Sequence, residues 1–208
     1  MSGRRGRPAV HSDDALARAA AEVFLARGFH DASMLDIARH AGATKPTLYA
    51  RFGSKEALYD RALERIADSL IAHMAVAYSR VRGQRAIDQT HAAAAAFFAW
   101  VKANPVGFRL LLGTDRGAPT STDHGQRALA SLTGLLVDAM TEYARGRGRQ
   151  TPAATELAAA TVVGAFDYGA RWAVEHDALD RLDVAAFTAT FTLSGLQGLG
   201  PDLFPAAA

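Results

Sequence analysis

Residues 33–55 decide the fold: Ser33-Met34-Leu35-Asp36-Ile37-Ala38-Arg39-His40-Ala41-Gly42-Ala43-Thr44-Lys45-Pro46-Thr47-Leu48-Tyr49-Ala50-Arg51-Phe52-Gly53-Ser54-Lys55. Ser33 stands where a helix N-cap belongs, and Asp36 three positions on completes a capping box. The helix so begun runs through His40, and Ala41-Gly42-Ala43 makes a tight turn. Thr44 caps a second short helix from Lys45 to about Arg51, with Pro46 tolerated in its first turn. Gly53 closes that helix and Ser54 caps a longer one reaching about Arg80. Two short helices across a three-residue turn, braced by longer helices, predict a helix-turn-helix.

The same helical period extends outward. Ala15, Leu16, Ala19, Ala20, Val23 and Phe24 form one apolar face behind a Ser12 cap, ended by Gly28. Further helices are predicted over 85–103, 105–113, 124–145, 152–177 and 183–199, with loops at 116–124 and 146–149. No period-2 run of β-branched residues occurs, so the chain reads as all-α, with about nine helices. We divide it into a basic arm (1–11), a helix-turn-helix domain (12–55) and a larger helical body (56–208).

Composition narrows the function. Half of the 208 residues are apolar and 21% charged, enough to bury a core. There is no cysteine, which removes disulfides, thiolate zinc sites and cysteine nucleophiles. The arm lacks an apolar segment after its charges, and no run has the length and composition of a membrane span. A cytoplasmic protein that does not engage a membrane is expected. Net charge is only +2, but residues 1–55 carry nine Lys/Arg against five acids, leaving 14 against 16 beyond them. A basic head on a mildly acidic body suits a polyanion partner.

Enzyme chemistry finds no support. The seven histidines show no metal-ligand spacing, so no metal and no cofactor is expected. Gly195-x-x-Gly198-x-Gly200 has the wrong order for a dinucleotide loop and follows no strand, and no serine sits in a nucleophile elbow. An all-helical enzyme and a purely architectural DNA-binding protein are the alternatives. The latter does not need some 140 residues of apolar helical body.

Ile37-Ala38, Ala41-Gly42, Thr47-Leu48-Tyr49, Phe52 and Ser54-Lys55-x-x-Leu58 have the order and spacing that mark a bacterial regulator family. The stretch from about 12 to 63 resembles the DNA-binding domain of the tetracycline-repressor (TetR) family. That resemblance implies a ligand-responsive repressor that binds a palindromic operator as a homodimer and is released by a small apolar or amphipathic effector. It also implies phosphate contacts by Thr47, Tyr49 and Lys55, with Ser33 doing likewise. Ile37, Leu48, Phe52, Leu58 and Val23 are the expected core beneath them. Lys45 and Arg51 suit guanine O6/N7, and the carbons of Thr44 and Pro46 can touch a thymine methyl. Ala50 and Arg51 fall where the family often has an aromatic and a histidine, so base preference does not transfer. Arg4, Arg5 and Arg7, around an AT-hook-like Arg5-Gly6-Arg7-Pro8, are candidates for an A·T minor groove.

In the body, small-residue stripes on the last two long helices (Ala158, Val162, Ala165, Gly169; Phe187, Phe191, Gly195, Gly198) are, as the resemblance implies, the expected dimer interface, with intramolecular core as the alternative. Tyr78, Phe97, Phe98, Trp100, Phe108, Phe166, Tyr168 and Trp172 are candidates for an effector pocket, against core packing for any one of them. His73, His91, Arg109, Asp167 and Arg171 are polar groups able to orient a ligand.

Overall fold

The computed structural model describes residues 12–111, 121–144 and 152–198. Among these are nine helices and no strand: α1 (Asp13–Asp31), α2 (Met34–His40), α3 (Lys45–Phe52), α4 (Lys55–Val81), α5 (Ala86–Ala103), α6 (Pro105–Leu111), α7 (Ser121–Ala144), α8 (Pro152–Glu175) and α9 (Val184–Gln197). No helix is long and apolar enough to cross a membrane among the described residues.

The head, α1–α3, is assembled by its caps. Ser12, Ser33, Thr44 and Ser54 each accept a backbone N–H from the first turn of the helix they precede. Each such cap stabilises a helix by about 1 kcal/mol, which matters for helices as short as α2 and α3. Gly28 (φ 75°) and Gly53 (φ 77°) adopt the left-handed backbone that turns the chain out of α1 and α3. Helical geometry resumes for one turn beyond Gly28, so α1 extends past its expected end to Asp31.

Leu16, Val23, Phe24, Ile37, Leu48 and Leu58 form the head core, with Phe52 partly buried against it. Tyr59 of α4 is fully buried there, its ring 4.9 Å from both Phe24 and Phe29 in edge contacts. Leu63 and Leu110 join the same cluster, so α4 and α6 carry the head core into the body. One helical turn further, Ala67, Leu70 and Met74 of α4 enter the second core, built from α4 to α9. Thus α4, and more briefly α6, serves both cores.

Two boundaries differ from expectation. The loop predicted to reach His124 ends earlier, because α7 begins at Ser121. Ser, Thr and Asp favour turns and first helical turns alike, so their presence did not separate the two. α8 stops at Glu175 because Asp177 takes a left-handed conformation (φ 51°), allowing the Ala178 N–H to reach the Ala173 carbonyl at 2.8 Å. The arm, with Arg4, Arg5 and Arg7, and the expected loop at 146–149 lie outside the described residues.

Polar ties lock head to body. Asp14 of α1 meets Arg65 at 2.9 Å and Arg61 at 3.2 Å, both on α4. His124 of α7 is 3% exposed, and its Nε2 lies 2.5 Å from Asp60 Oδ1. Arg127 Nη2 stands 2.7 Å from His124 Nδ1 and can only donate, so the Nε2 hydrogen points to Asp60. Removing the imidazole deletes a buried hydrogen bond to a carboxylate, about 2 kcal/mol. His124→Ala should therefore lower Tm by about 4–8 °C in a thermal melt of the full chain. An unchanged Tm contradicts the joint.

Candidate nucleic-acid interface and ligand cavity

Leu48 points down from α3 and is fully buried, which fixes the opposite face outward. Thr44, Lys45, Pro46, Tyr49, Ala50 and Arg51 are exposed there, and Thr47 is half-buried. Tyr49 is 43% exposed, so it is not an ordinary core aromatic. Lys45 Nζ lies 5.7 Å above its ring, keeping a cation and a phenol together at one end of the helix. The Thr44 and Thr47 hydroxyls are 2.8 Å apart, so Thr47 is oriented by the cap itself.

The flanking candidates are already engaged within the head. Lys55 Nζ donates to the His30 carbonyl at 3.2 Å and sits 4.5 Å over the Phe29 ring. Arg51 Nη1 is 2.5 Å from Asp13 Oδ1 at the start of α1. Ser33 Oγ donates to Asp36 Oδ2 at 2.5 Å, and Asp36 also accepts the Ser33 N–H and pairs with Arg27 at 3.1 Å. The Ser33 hydroxyl and backbone bonds, with Arg27 nearby, hold the Asp36 carboxyl below its ordinary value. The surface thus carries hydroxyls, a phenol and cations on a rigid, capped scaffold, which is chemistry suited to phosphates and groove edges.

A cavity of about 330 Å³ opens between α4, α5, α7, α8 and α9. Tyr78 and Phe166, two of the eight aromatics proposed for a pocket, line it. Phe97, Phe98 and Phe108 are instead packed into the core beside it, with Phe97 and Phe98 at 5.4 Å and Phe97 and Phe108 at 6.2 Å. Trp100 is turned toward α4, where its Nε1 donates to Ser69 at 3.3 Å, and it borders a separate groove beside α1. Tyr168 and Trp172 lie on the outside, 73% and 42% exposed, because α8 turns that face away from every other described helix except α9.

The small-residue stripe divides the same way. Ala165, Gly169, Phe187 and Phe191 join Tyr168 and Trp172 on an outer apolar face, with Phe187 and Phe191 stacked at 6.2 Å. Gly169 lets the helices close up, since a Cβ there meets Thr188 Oγ1 at 3.2 Å. Ala158 and Val162, expected on that face, are buried and line the cavity instead. Gly195 and Gly198 are exposed. None of the five ligand-orienting candidates lines the cavity. Arg171 pairs with Asp167 at 3.0 Å, and His73 bonds the Ala96 carbonyl.

Sequence reading missed Leu136, Ala139 and Met140 as cavity walls. Together with Leu132 of the core they recur at i, i+4, i+7 and i+8 along α7, a period that marks the inward face. Gln89 and Thr90 carried no comparable signal, since isolated polar residues on a helix read as solvent-facing.

Comparison with known proteins agrees with this architecture. Residues 16–62 match the family model for bacterial regulatory proteins of the tetR family. The chain is 30% identical over 180 residues to the HTH-type transcriptional activator FasR of Mycolicibacterium smegmatis, covering 86% of this chain and 80% of that protein. The chain belongs to the TetR family of transcription regulators. Its helix-turn-helix is therefore a DNA-binding element. A second relative, the HTH-type transcriptional repressor ComR of Escherichia coli, is 40% identical over 68 residues, 33% of this chain and 32% of ComR. The whole fold resembles the transcriptional regulator FadR of Bacillus subtilis, solved with stearoyl-CoA, at a TM-score of 0.71 and 17% identity, covering 91% and 100% of the two chains.

The capping box gives a pH signature. Because the folded-state value of Asp36 is lowered, its stabilisation is full above the unfolded value of about 3.9 and is lost as pH falls through the folded one. The Tm advantage of the wild type over Asp36→Asn should therefore shrink below about pH 4. A difference constant from pH 6 to 3 contradicts the assignment.

Proposed function

We propose that the protein is a ligand-responsive regulator that binds a palindromic operator as a homodimer and leaves it when an apolar or amphipathic effector fills the cavity. The observation that carries this reading is one helix between the two candidate sites: α4 begins at Lys55, a phosphate-contact candidate, and reaches Tyr78 in the cavity wall. A helix packed into both cores cannot move at one end alone. A hundredfold loss of DNA affinity needs the effector to favour the non-binding state by about 2.7 kcal/mol.

In this reading Thr47, Tyr49, Lys55 and Ser33 hold phosphates. Lys45, Arg51, Thr44 and Pro46 meet base edges, and Arg4, Arg5 and Arg7 extend to the neighbouring minor groove. The outer face of α8 and α9 pairs with its copy across a two-fold axis. Phe187 and Phe191 are 71% and 67% exposed, a cost in water that a second copy removes. Release from an operator that overlaps a promoter gives derepression, whereas likeness to FasR favours activation from an upstream operator. A promoter–reporter assay with the gene deleted separates them: expression rises for a repressor and falls for an activator.

Two measurements test the core of the proposal. Lys55→Ala should weaken all DNA sequences about equally and lower the salt slope by about one. Lys45→Ala should instead alter the selected sequence, losing about 1–3 kcal/mol of discrimination. Phe187→Glu with Phe191→Glu should turn a sedimenting dimer into a monomer and abolish operator binding. A wild-type monomer, free and on DNA, refutes the dimer.

A further inference from the structure

A second space lies at the joint of head and body. It is a groove of about 350 Å³ with one wall on α1, a floor on α4 and the other wall on the elbow between α5 and α6. It shares no described lining residue with the cavity between α4, α5, α7, α8 and α9. Ala17, Ala21 and Leu25 face it from the head, Val106 from the body, and Ile66 lies between them. Apolar walls, a few polar groups and a volume at the small end of ligand pockets suit a small molecule.

The body wall is held in place. The Asn104 backbone N–H and Nδ2 both donate to the Trp100 carbonyl, at 2.9 and 3.0 Å, which fixes the elbow. At Gly107 a Cβ would meet Ile66 Cγ2 at 3.3 Å, so α6 lies close on α4 because no side chain intervenes. An occupant that touches α1 and α6 together fits one spacing of those helices best, and so favours one angle between head and body.

The groove also has a charge preference. Its described charged lining residues are Arg18 and Glu22 on α1 and Arg65 on α4. Two of them are already matched: Glu22 Oε2 meets His40 Nε2 at 2.6 Å, and Arg65 Nη1 meets Asp14 at 2.9 Å. Arg18 has no ion pair or hydrogen bond through its guanidinium among the described residues. Its planar fork of N–H donors fits a carboxylate. Ser69 adds a neutral donor, since its Oγ accepts from Trp100 Nε1 at 3.3 Å and keeps its own hydrogen for another acceptor. Glu22 stands one turn along α1 from Arg18, so a second negative charge on the ligand is opposed.

We propose that this groove is a second ligand site, for a small monocarboxylate with an apolar body. The carboxylate pairs with Arg18, and the hydrocarbon lies against Leu25, Ile66 and Val106. Because one wall belongs to the DNA-binding head, the ligand and DNA alter each other's affinity by the same factor.

The test titrates the full chain with 1-naphthoate at neutral pH by calorimetry, with 1-naphthamide as the neutral isostere. Naphthoate should bind more tightly than the amide. Arg18→Gln, at an exposed position, should weaken naphthoate about fivefold and leave the amide unchanged. Ala103→Trp, on the exposed rim of the groove, should weaken both compounds about tenfold by filling the space. Saturating the chain with a duplex it has selected from a random pool should shift the naphthoate Kd about twofold or more. A wild type that binds neither compound, or an Ala103→Trp variant that binds both as the wild type does, overturns the groove as a ligand site. Unaltered naphthoate binding in Arg18→Gln, or equal losses for acid and amide, overturns the choice of a carboxylate. A Kd unmoved by DNA overturns the coupling.

Discussion

The burial of Tyr59 between Phe24 and Phe29 is the contact on which the arrangement depends. It seats the first turns of α4 in the head core, while Leu70 and Met74 seat the next turns in the body core. Full burial of such side chains is worth about 1.5–3 kcal/mol each, so neither end of α4 separates cheaply from its partners. Head and body are therefore not beads on a linker. The ion pairs of Asp14 with Arg61 and Arg65 add surface ties between α1 and α4, and the His124–Asp60 bond ties α7 to the same helix.

The head was the most legible part of the sequence, for a physical reason. Its form is set by local chemistry: Ser33 with Asp36, Thr44 before Pro46, glycines at 28 and 53, and Ser54 before the long helix. Caps and left-handed glycines act over three or four residues, a distance a single sequence displays directly. The spacing of Ile37, Leu48 and Leu58 followed for the same reason. The body's helices were legible too, though α7 starts earlier because Ser121-Thr122-Asp123 suits a loop and a helix start equally.

Which face of each body helix points where was not legible. Phe97 and Tyr168 are both aromatic residues on apolar helices, yet one is sealed in the core and the other is 73% exposed. That difference depends on which helix lies alongside, information spread across 60 or more residues of chain. Ala158 and Val162 teach the same lesson. Small residues suit a helix–helix contact and a cavity wall alike, because both need a side chain that ends early. Gln89 and Thr90 escaped detection because isolated polar residues on a helix read as solvent-facing, whereas Tyr78 was legible as an aromatic on an apolar helix.

Arg51 carries a consequence for how the head treats anions in general. Its guanidinium already holds Asp13 at 2.5 Å through Nη1, so an outside anion meets its remaining N–H donors or displaces that carboxylate. The pair lowers the net charge that the head presents at long range to any polyanion. The interaction is then thrifty with charge at long range and undemanding at short range. Asp13, at the start of α1, competes for Arg51 with no more than the ~0–1 kcal/mol of an exposed ion pair.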